Sequence, residues 1–369
     1  MLEKRPLRVL ALVTAPTLGA GNRTRIEQYA SLFRAHGIEL RVSAFFDDAT
    51  YRILYEQGHV LAKIAGTLRG IARRARDLWR LRRFDLVLIY RESAPLGPPL
   101  IERIFSRLGL RYVFDFDDAI FLGPIHPVNR RWAWLRDPSR VTETTRRAAA
   151  VTVGTEYTAS WARRWNPNVT IVRDAVDTER HRPGLVRRPE TPKVIGWVGS
   201  STTAPYLHIL DEPLARVAEQ RKDVLFRVIG GRYEHPALPV EVVPYRLHEE
   251  PADISTFHIG VLPEPDDPWT RGKGGFKALL YMAAAIPVVA SNVGVNSDVV
   301  AHGETGYCVN GPHEWVEAIL RLLDDPELRA TMGERGRALV EKRFSVTAQG
   351  PVFAAALLRA AERLAHRDR

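Results

Sequence analysis

The chain's most informative segment reads WTRGKGGFKALLYMAAAIPVVAS and runs from Trp269 to Ser291. A basic, glycine-rich loop leads into a short apolar helix, and Pro287 then introduces an apolar strand. Backbone N–H groups of the loop, the positive end of the helix dipole and the amines of Lys273 and Lys277 converge on one point. This positively charged point suits a diphosphate group. Lysines at a helix N-terminus are unusual, because that end of a helix more commonly carries acidic side chains, and this favours a binding role for them. A solvated helix end is the alternative interpretation of the two lysines.

Strands and helices alternate along the rest of the chain. Apolar runs typical of buried parallel strands occupy residues 8–15, 39–44, 85–90, 111–116, 150–154, 169–172, 193–199, 225–229, 240–243, 258–262, 287–291 and 306–309. The helices predicted between and after them span residues 24–35, 204–221, 275–285, 313–323, 327–343 and 352–365. This alternation indicates right-handed β-α-β units. The sequence therefore predicts the α/β fold class, with two Rossmann-like, doubly wound parallel-sheet domains facing a cleft.

A break in this pattern predicts the domain boundary. The segment Arg180–Pro192 contains three prolines and one glycine and has no apolar periodicity. We therefore expect a first domain over residues 1–182, a linker over residues 183–192 and a second domain that begins at residue 193.

Composition excludes several classes of protein. Of 369 residues, 45% are hydrophobic and 26% are charged, which is typical of a globular chain rather than a disordered one. The single cysteine, Cys308, cannot form an internal disulfide or a cysteine-based zinc site, so we expect a reducing, cytoplasmic setting. No apolar run reaches the roughly 18–20 residues of a membrane span. Scattered histidines without ligand spacing predict that no metal is bound.

The net charge of +10 is unevenly distributed. Residues 1–180 carry +11, whereas residues 181–369 carry −1. Such asymmetry suggests that the first half faces lipid head groups, nucleic acid or an acidic substrate. No nucleic-acid-binding motif accompanies the charge, so nucleic acid is not an expected partner.

Two further turns are candidates for binding phosphate. The first follows the initial strand and opens a helix, so Gly21 would let the backbone approach an anion, with Asn22 and Arg23 beside it. The second follows the strand at 193–199 and comprises Gly199, Ser200, Ser201 and Thr202. For the first turn, a tight strand-to-helix connection without a ligand is the alternative.

An acidic segment ends the strand predicted at 111–116. Asp115, Asp117 and Asp118 place three carboxylates within four residues, where ligands of open parallel sheets bind. These carboxylates repel one another, and sugar hydroxyls are suitable donors to them. A turn that caps a helix is the alternative interpretation.

The stretch Lys63–Arg83 has helical apolar spacing and eight basic residues, with Asp77 its one acidic residue. A basic amphipathic helix that includes Trp79 suits an anionic membrane surface. A helix packed on its own sheet, with a solvated arginine face, is the alternative.

Taken together, these features resemble the family 4, or group 1, glycosyltransferases, which have the GT-B fold. The resemblance extends over nearly the whole chain and is strongest over Phe257–Gly306. Further matches are NRTR at residues 22–25, DFDDAIF at 115–121 and GKGGFK at 272–277. The resemblance implies that residues 1–182 bind the acceptor and residues 193–349 the nucleotide-sugar donor. It also implies that a C-terminal helix, residues 350–369, packs back on the first domain, and that no metal or other cofactor is obligatory.

Three departures from the family pattern stand out. Two glutamates that the family commonly carries fall at Gly272 and Leu280 in this chain. A His-Asp pair is replaced by Asp117-Asp118, and a basic pair that often binds diphosphate is replaced by Ser201 and Thr202. Lys273 and Lys277 are the residues that would supply the missing positive charge.

The resemblance thus implies a retaining glycosyltransferase of the hexosyltransferase type. It would move a sugar from a nucleotide diphosphate sugar to a saccharide or lipid-linked acceptor, in cell-surface polysaccharide or glycolipid synthesis. It would work in the cytoplasm, peripherally on the inner face of the membrane where the basic helix binds. The predicted catalytic residues are Asp117, Lys273 and Lys277, and the predicted binding residues are Gly21, Asn22, Arg23, Gly199, Ser200, Ser201, Thr202, Gly272, Gly274, Gly275 and Phe276. The alternatives are a catalytically silent nucleotide-sugar-binding partner protein and a GT-B-fold sugar-nucleotide epimerase.

Overall fold

A computed structural model describes residues 5–54, 56, 58–95, 97–123, 139–188 and 190–365. The last four residues of the helix predicted over 350–369 lie outside this part of the chain. Two compact units divide the chain: the first contains the described residues up to Asp174 and from Gln349 onward, and the second contains Ala175–Ala348.

The first unit is built on a six-stranded parallel sheet with the order β2-β1-β3-β4-β5-β6. Its strands are β1 (Leu7–Val13), β2 (Ile38–Ala44), β3 (Leu86–Tyr90), β4 (Tyr112–Phe116), β5 (Ala150–Val153) and β6 (Val169–Ile171). Its helices are α1 (Ala20–Arg25), α2 (Ala30–Ala35), α3 (Asp48–Ile53), α4 (Val60–Trp79), α5 (Leu100–Arg107), α6 (Arg140–Arg147) and α7 (Glu156–Arg163). From β1 the chain first adds β2 on one side and then adds β3 to β6 on the other side. The strand order therefore reverses between β1 and β3, and such a switch point leaves a crevice at the carboxyl ends of these two strands.

The C-terminal helix, α14 (Val346–Ala365), lies mostly in this first unit. The ring of Phe353 packs edge-on against Tyr29 and Phe33, with ring centroids 5.5 and 5.3 Å apart. Burial of these three rings ties the end of the chain to its beginning.

The second unit repeats the architecture with the order β12-β11-β10-β7-β8-β9. Its strands are β7 (Lys193–Val198), β8 (Val224–Ile229), β9 (Val240–Val243), β10 (Ile259–Leu262), β11 (Val288–Ser291) and β12 (Gly306–Val309). Its helices are α8 (Asp211–Gln220), α9 (Glu250–Ser255), α10 (Phe276–Ala283), α11 (Asn296–Val299), α12 (Pro312–Asp324) and α13 (Pro326–Arg343). Here the direction switches between β7 and β10, which places a second crevice at their carboxyl ends.

The division between the units precedes the linker predicted at residues 183–192. The backbone N–H of Val176 donates to the carbonyl oxygen of Phe344 at 2.9 Å, within the second unit. Arg188 donates to the carbonyl oxygens of Ser255 and Ala284 at 2.8 and 3.2 Å. These bonds attach residues 175–192 to the second unit, so the division falls at Asp174.

Two of the predicted helices are interrupted. The helix expected over 24–35 is divided into α1 and α2, because Ile26 leaves the helical region with φ −121°. The helix expected over 204–221 begins as a 3-10 helix, Ala204–Leu210, and continues as α8. Pro213 lies in the first turn of α8, where its missing N–H removes no helical bond.

Candidate functional site

The crevice of the second unit brings together the two groups of residues predicted to bind a diphosphate. The turn Gly199–Thr202 follows β7, and the loop that carries Lys273 leads into α10. The amine of Lys277 lies 3.3 Å from Oγ1 of Thr203, the residue that follows that turn. The same amine lies 4.9 Å from the ring centroid of Trp197, which fixes it over an aromatic face.

The turn after β7 presents small polar groups to solvent. The side chains of Ser200, Ser201 and Thr202 are exposed or partly exposed, and the hydroxyls of Ser200 and Thr202 are hydrogen-bonded at 2.7 Å. The backbone N–H of Thr203 donates back to the carbonyl oxygen of Ser200 at 3.0 Å. A Cβ atom on Gly199 would lie 2.3 Å from the ring of Trp197, so glycine permits this tight turn.

The glycine-rich loop enters α10 through a left-handed residue. Gly275 has φ +72°, and a Cβ atom there would lie 3.3 Å from a methyl carbon of Val299, so a side chain is disfavoured on both counts. Gly272 ends a short 3-10 turn, and Gly274 and Phe276 flank Gly275. The first backbone N–H groups of α10 have no partner within the helix, and no side chain caps its N-terminus. They are therefore donors available to an anion.

Glu264, which follows β10, is a site residue that the sequence analysis missed. The residue is 6% exposed, and the amine of Lys273 and the amide of Asn296 each donate to one of its carboxylate oxygens at 3.1 Å. Its backbone N–H donates to Oγ of Ser291 at 2.9 Å. An acidic residue two positions after a strand at the switch point was the available signal. The ion pair offsets the charge of Lys273, so Lys277 is the more available cation.

The pKa of Lys277 is lowered to about 7 by burial, with a further contribution from Lys273 that the carboxylate of Glu264 opposes. An amine that titrates near neutral pH gains its proton when an anion arrives. Lys277 is therefore a pH-sensitive cation at this site.

The two positions of the missing family glutamates offer no acceptor side chain. Leu280 is 3% exposed and packs in the core of the second unit with Ala278 and Met282. Gly272 is buried, and its N–H donates to the carbonyl oxygen of Trp269 at 3.0 Å. A sugar hydroxyl would have to find its acceptors elsewhere.

In the first unit, Asp117 lies at the carboxyl end of β4. Nε of Arg91 donates to one carboxylate oxygen at 2.7 Å, and the hydroxyl of Tyr90 donates to the other at 2.8 Å. Burial would raise the pKa of Asp117, but the guanidinium groups of Arg91 and Arg25 outweigh it and lower that pKa. The carboxylate is ionised at neutral pH and keeps lone pairs for a hydroxyl donor.

Arg91 is a second residue that the sequence analysis missed. Its backbone is in the left-handed region with φ +59°, which is strained for a residue with a side chain. Its guanidinium also donates to Asp118. The strained backbone aims one side chain at two carboxylates, which is a feature typical of functional sites.

Of the residues predicted in the first turn, Gly21 approaches this cluster. A Cβ atom on Gly21 would lie 2.5 Å from the hydroxyl of Tyr90, the donor to Asp117. The amide of Asn22 instead donates to Glu27 at 2.9 Å, and Arg23 donates to the carbonyl oxygen of Thr17 at 3.0 Å. These two side chains hold the loop that carries Gly21.

A buried ion pair lies behind the Asp117 cluster. Arg25 donates to both carboxylate oxygens of Asp115, at 2.9 and 3.0 Å, and to the carbonyl oxygen of Val172 at 2.6 Å. Asp174 lies 3.6 Å from Arg25. Burial raises the pKa of Asp174 to about 7; Arg25 opposes this, and Asp117 and Asp118 add to it. Asp115 is thus structural and fully buried, whereas the side chain of Asp117 is 14% exposed.

The part of the chain that the structure describes contains no group of three or more His, Cys, Asp or Glu side chains arranged to hold a metal ion. Among the described helices, none combines the length and apolar character that crossing a membrane requires.

Comparison with known proteins finds a family match within the second unit. Residues 192–325 match the family model described as Glycosyl transferases group 1. The D-inositol 3-phosphate glycosyltransferase of Corynebacterium glutamicum is 30% identical over 192 residues, which are 45% of this chain and 46% of that protein. The capsular polysaccharide biosynthesis glycosyltransferase CapM of Staphylococcus aureus is 42% identical over 166 residues, which are 41% of this chain and 42% of that protein. The chain therefore aligns with about half the length of these curated relatives.

The predicted resemblance is confirmed over residues 192–325, which are similar to the group 1 glycosyl transferases. Among solved structures, Anabaena HepE in complex with UDP-glucose matches with a TM-score of 0.65 at 17% identity, over 98% of this chain and 100% of that chain. The two six-stranded parallel sheets and this match confirm the predicted GT-B fold class.

Proposed function

We propose that the protein is a retaining glycosyltransferase that moves a sugar from a nucleotide diphosphate sugar to a saccharide or lipid-linked acceptor. One observation carries the proposal. At the β7–β10 switch point, Lys277 contacts Thr203, the residue after the polar turn Gly199–Thr202, beside the open N-terminus of α10. A cation, a hydroxyl-rich turn and free backbone donors form a site suited to a diphosphate.

The diphosphate is the leaving group of the reaction. Negative charge builds on it as the bond to the anomeric carbon breaks, and preorganised donors in a partly buried site stabilise that charge. In this proposal, Lys277 and the N–H groups around Gly275 supply the stabilisation directly. Glu264 is a positioning residue, because it holds Lys273 over the ring of Tyr206, at 4.5 Å from the ring centroid.

Asp117 is proposed to bind a hydroxyl of the acceptor. It is ionised, and Tyr90 and Arg91 hold its oxygens in place. A fixed carboxylate orients a hydroxyl without losing conformational entropy at the moment of reaction.

The acceptor class is drawn from the relatives. CapM acts in capsular polysaccharide biosynthesis and the corynebacterial relative on D-inositol 3-phosphate, by their names. We therefore infer a role in cell-surface polysaccharide or glycolipid synthesis. The complex of HepE with UDP-glucose makes uridine nucleotides the first donors to test.

A nucleotide panel followed by a transfer assay tests the proposed function. Thermal shifts with UDP, GDP, dTDP and ADP identify the base, because a ligand at 100 times its dissociation constant adds about 2.7 kcal/mol of stability. Transfer is then measured with the matching nucleotide sugars, and the anomeric configuration of the product is determined by NMR. Binding without turnover on any acceptor would favour the silent partner protein, and a converted nucleotide sugar would favour an epimerase. An inverted product would contradict retention.

Nucleoside diphosphate affinity is expected to fall as the pH rises from about 7 to about 9. Lys277, with its pKa lowered to about 7, loses its proton over this range in the free protein. A bound diphosphate favours the ammonium form and raises its pKa, so binding takes up a proton and weakens as protons become scarce. Losing a charge-assisted contact costs about 1.5–3 kcal/mol, or roughly ten- to hundredfold in dissociation constant. Calorimetry in buffers of different ionisation enthalpy measures both the affinity and the proton uptake.

Lys277→Arg is the matched control, because a guanidinium keeps its charge throughout this range. Its affinity should not vary with pH, and that of Lys277→Met should be weak at every pH. An unchanging wild-type affinity between about pH 7 and 9 would remove Lys277 from the diphosphate site.

A further inference from the structure

Helix α4 packs against the rest of the first unit through glycines. A Cβ atom on Gly66 would lie 2.3 Å from Oγ1 of Thr50. A Cβ atom on Gly70 would lie 2.4 Å from a ring carbon of Phe45. Both distances are shorter than any real contact, so the side of α4 that carries these glycines is the one packed against the protein.

Arginines share this inner side of α4. Arg74 is buried and donates to the carbonyl oxygens of Val13 and Ser93 at 2.7 and 2.6 Å. Arg73 donates to the carbonyl oxygen of Ala44 at 2.7 Å. The polar part of this amphipathic helix is thus used for packing, which reverses the usual arrangement.

The opposite side of α4, which we call the α4 outer face, is apolar and exposed. Five large apolar side chains recur along this face, and each is at least half exposed. Their exposed fractions are 82% for Leu61, 52% for Ile64, 60% for Leu68, 54% for Ile71 and 81% for Trp79. Ala65, Ala72 and Ala75 are exposed among them. A contiguous apolar surface of this length marks an interaction site.

Basic side chains border this face. Arg76 is exposed on the helix, beside Arg69, whose guanidinium pairs with Asp47 at 3.1 Å, and Arg82 and Arg83 are exposed just after the helix. The first 180 residues carry the whole positive excess of the chain, at +11. The partner of the α4 outer face must therefore accept apolar side chains in its middle and offer negative charge at its edge.

We propose that the α4 outer face docks on an anionic lipid bilayer, with α4 lying in the plane of the membrane surface. Leucine and isoleucine side chains enter the boundary of the acyl chains, Trp79 sits at the level of the head groups, and the arginines contact lipid phosphates. The proposal concerns attachment and is independent of the activity proposed above. A second copy of the chain is disfavoured as the occupant, because it brings the same positive border toward this one.

The test is vesicle binding by the full chain and by two triple variants. Wild-type protein should sediment with phosphatidylcholine vesicles that contain phosphatidylglycerol, less so at high salt, and not with phosphatidylcholine alone. The variant I64Q/L68Q/I71Q should lose at least tenfold of this binding and keep its melting temperature, since the three side chains are exposed. The matched control L100Q/L108Q/V242Q removes three comparably exposed apolar side chains elsewhere and should bind like the wild type.

Bromine-labelled lipids give an independent readout. They should quench tryptophan fluorescence in the wild type, and W79F should lose that part of the quenching. Failure of the wild type to bind anionic vesicles at low salt would overturn the proposal, as would full binding by I64Q/L68Q/I71Q. Sedimentation velocity gives a third outcome that would overturn it. If the wild type is a dimer and I64Q/L68Q/I71Q is a monomer, the α4 outer face is a self-association interface.

Discussion

Replacing Arg25 by methionine is expected to lower the free energy of unfolding by about 3–5 kcal/mol, because it leaves a buried carboxylate without its partner. The side chains of Arg25 and Asp115 are 2% and 0% exposed, and two hydrogen bonds join them. Methionine retains much of the volume but none of the charge. At roughly 2–4 °C per kcal/mol for a unit of this size, the melting temperature should fall by about 6–20 °C in circular dichroism.

A matched control and a pH series accompany this variant. Arg5→Met removes an exposed ion pair with Asp85 and should cost less than about 1 kcal/mol. Burial already raises the pKa of Asp115, against the opposing effect of Arg25, so loss of Arg25 raises it further. The destabilisation should therefore shrink as the pH falls and Asp115 becomes neutral. An Arg25→Met protein as stable as the Arg5→Met control would contradict the structural role of the pair.

The strands were predictable because burial on both faces of a parallel sheet leaves a continuous apolar run. All five residues of β3 (Leu86–Tyr90) are buried, and β9 and β12 have the predicted bounds. The interrupted helix at Ile26 was not predictable from apolar spacing. Its break places Arg25 against Asp115, 90 positions away in the chain, and such a pairing depends on the tertiary fold.

Local signals located part of the candidate site. Lys277 lies at the start of a predicted helix, and the turn Gly199–Thr202 follows a predicted strand. Parallel strands end at one edge of a sheet, so the loops that follow them lie near one another. Glu264 was overlooked because its importance depends on Lys273 and Asn296 meeting it in space. The left-handed backbone of Arg91 has no signal in the sequence, since glycine is the usual residue there.

Helix α4 shows where periodicity stops being informative. Apolar spacing predicted an amphipathic helix over Lys63–Arg83 but did not indicate which face turns inward. The orientation depends on Gly66 and Gly70, whose lack of a side chain allows contact with Thr50 and Phe45. Glycines four residues apart in a helix were the overlooked indication, because they permit a close approach that leucine would prevent.

Asp117→Asn is expected to reduce transfer at least about 100-fold while leaving nucleotide affinity unchanged. The asparagine side chain is neutral, and its amide nitrogen can only donate hydrogen bonds. The hydroxyl of the acceptor substrate is proposed to donate to an ionised carboxylate, so this interaction is lost. The nucleotide is proposed to bind at Lys277, in the other unit, so its affinity should not change. Transfer rates and calorimetric titrations of the same preparation separate the two effects.

Tyr90→Phe and Asp48→Asn are the companion variants for Asp117→Asn. Tyr90→Phe removes one hydrogen bond that fixes Asp117 and should reduce transfer less, because Arg91 still holds the other oxygen at 2.7 Å. Asp48→Asn changes an exposed carboxylate in the first turn of α3 and should leave transfer intact. If Asp117→Asn lowers the melting temperature but not the transfer rate, Asp117 only anchors Arg91, and the acceptor hydroxyl must bind to another residue of the first unit.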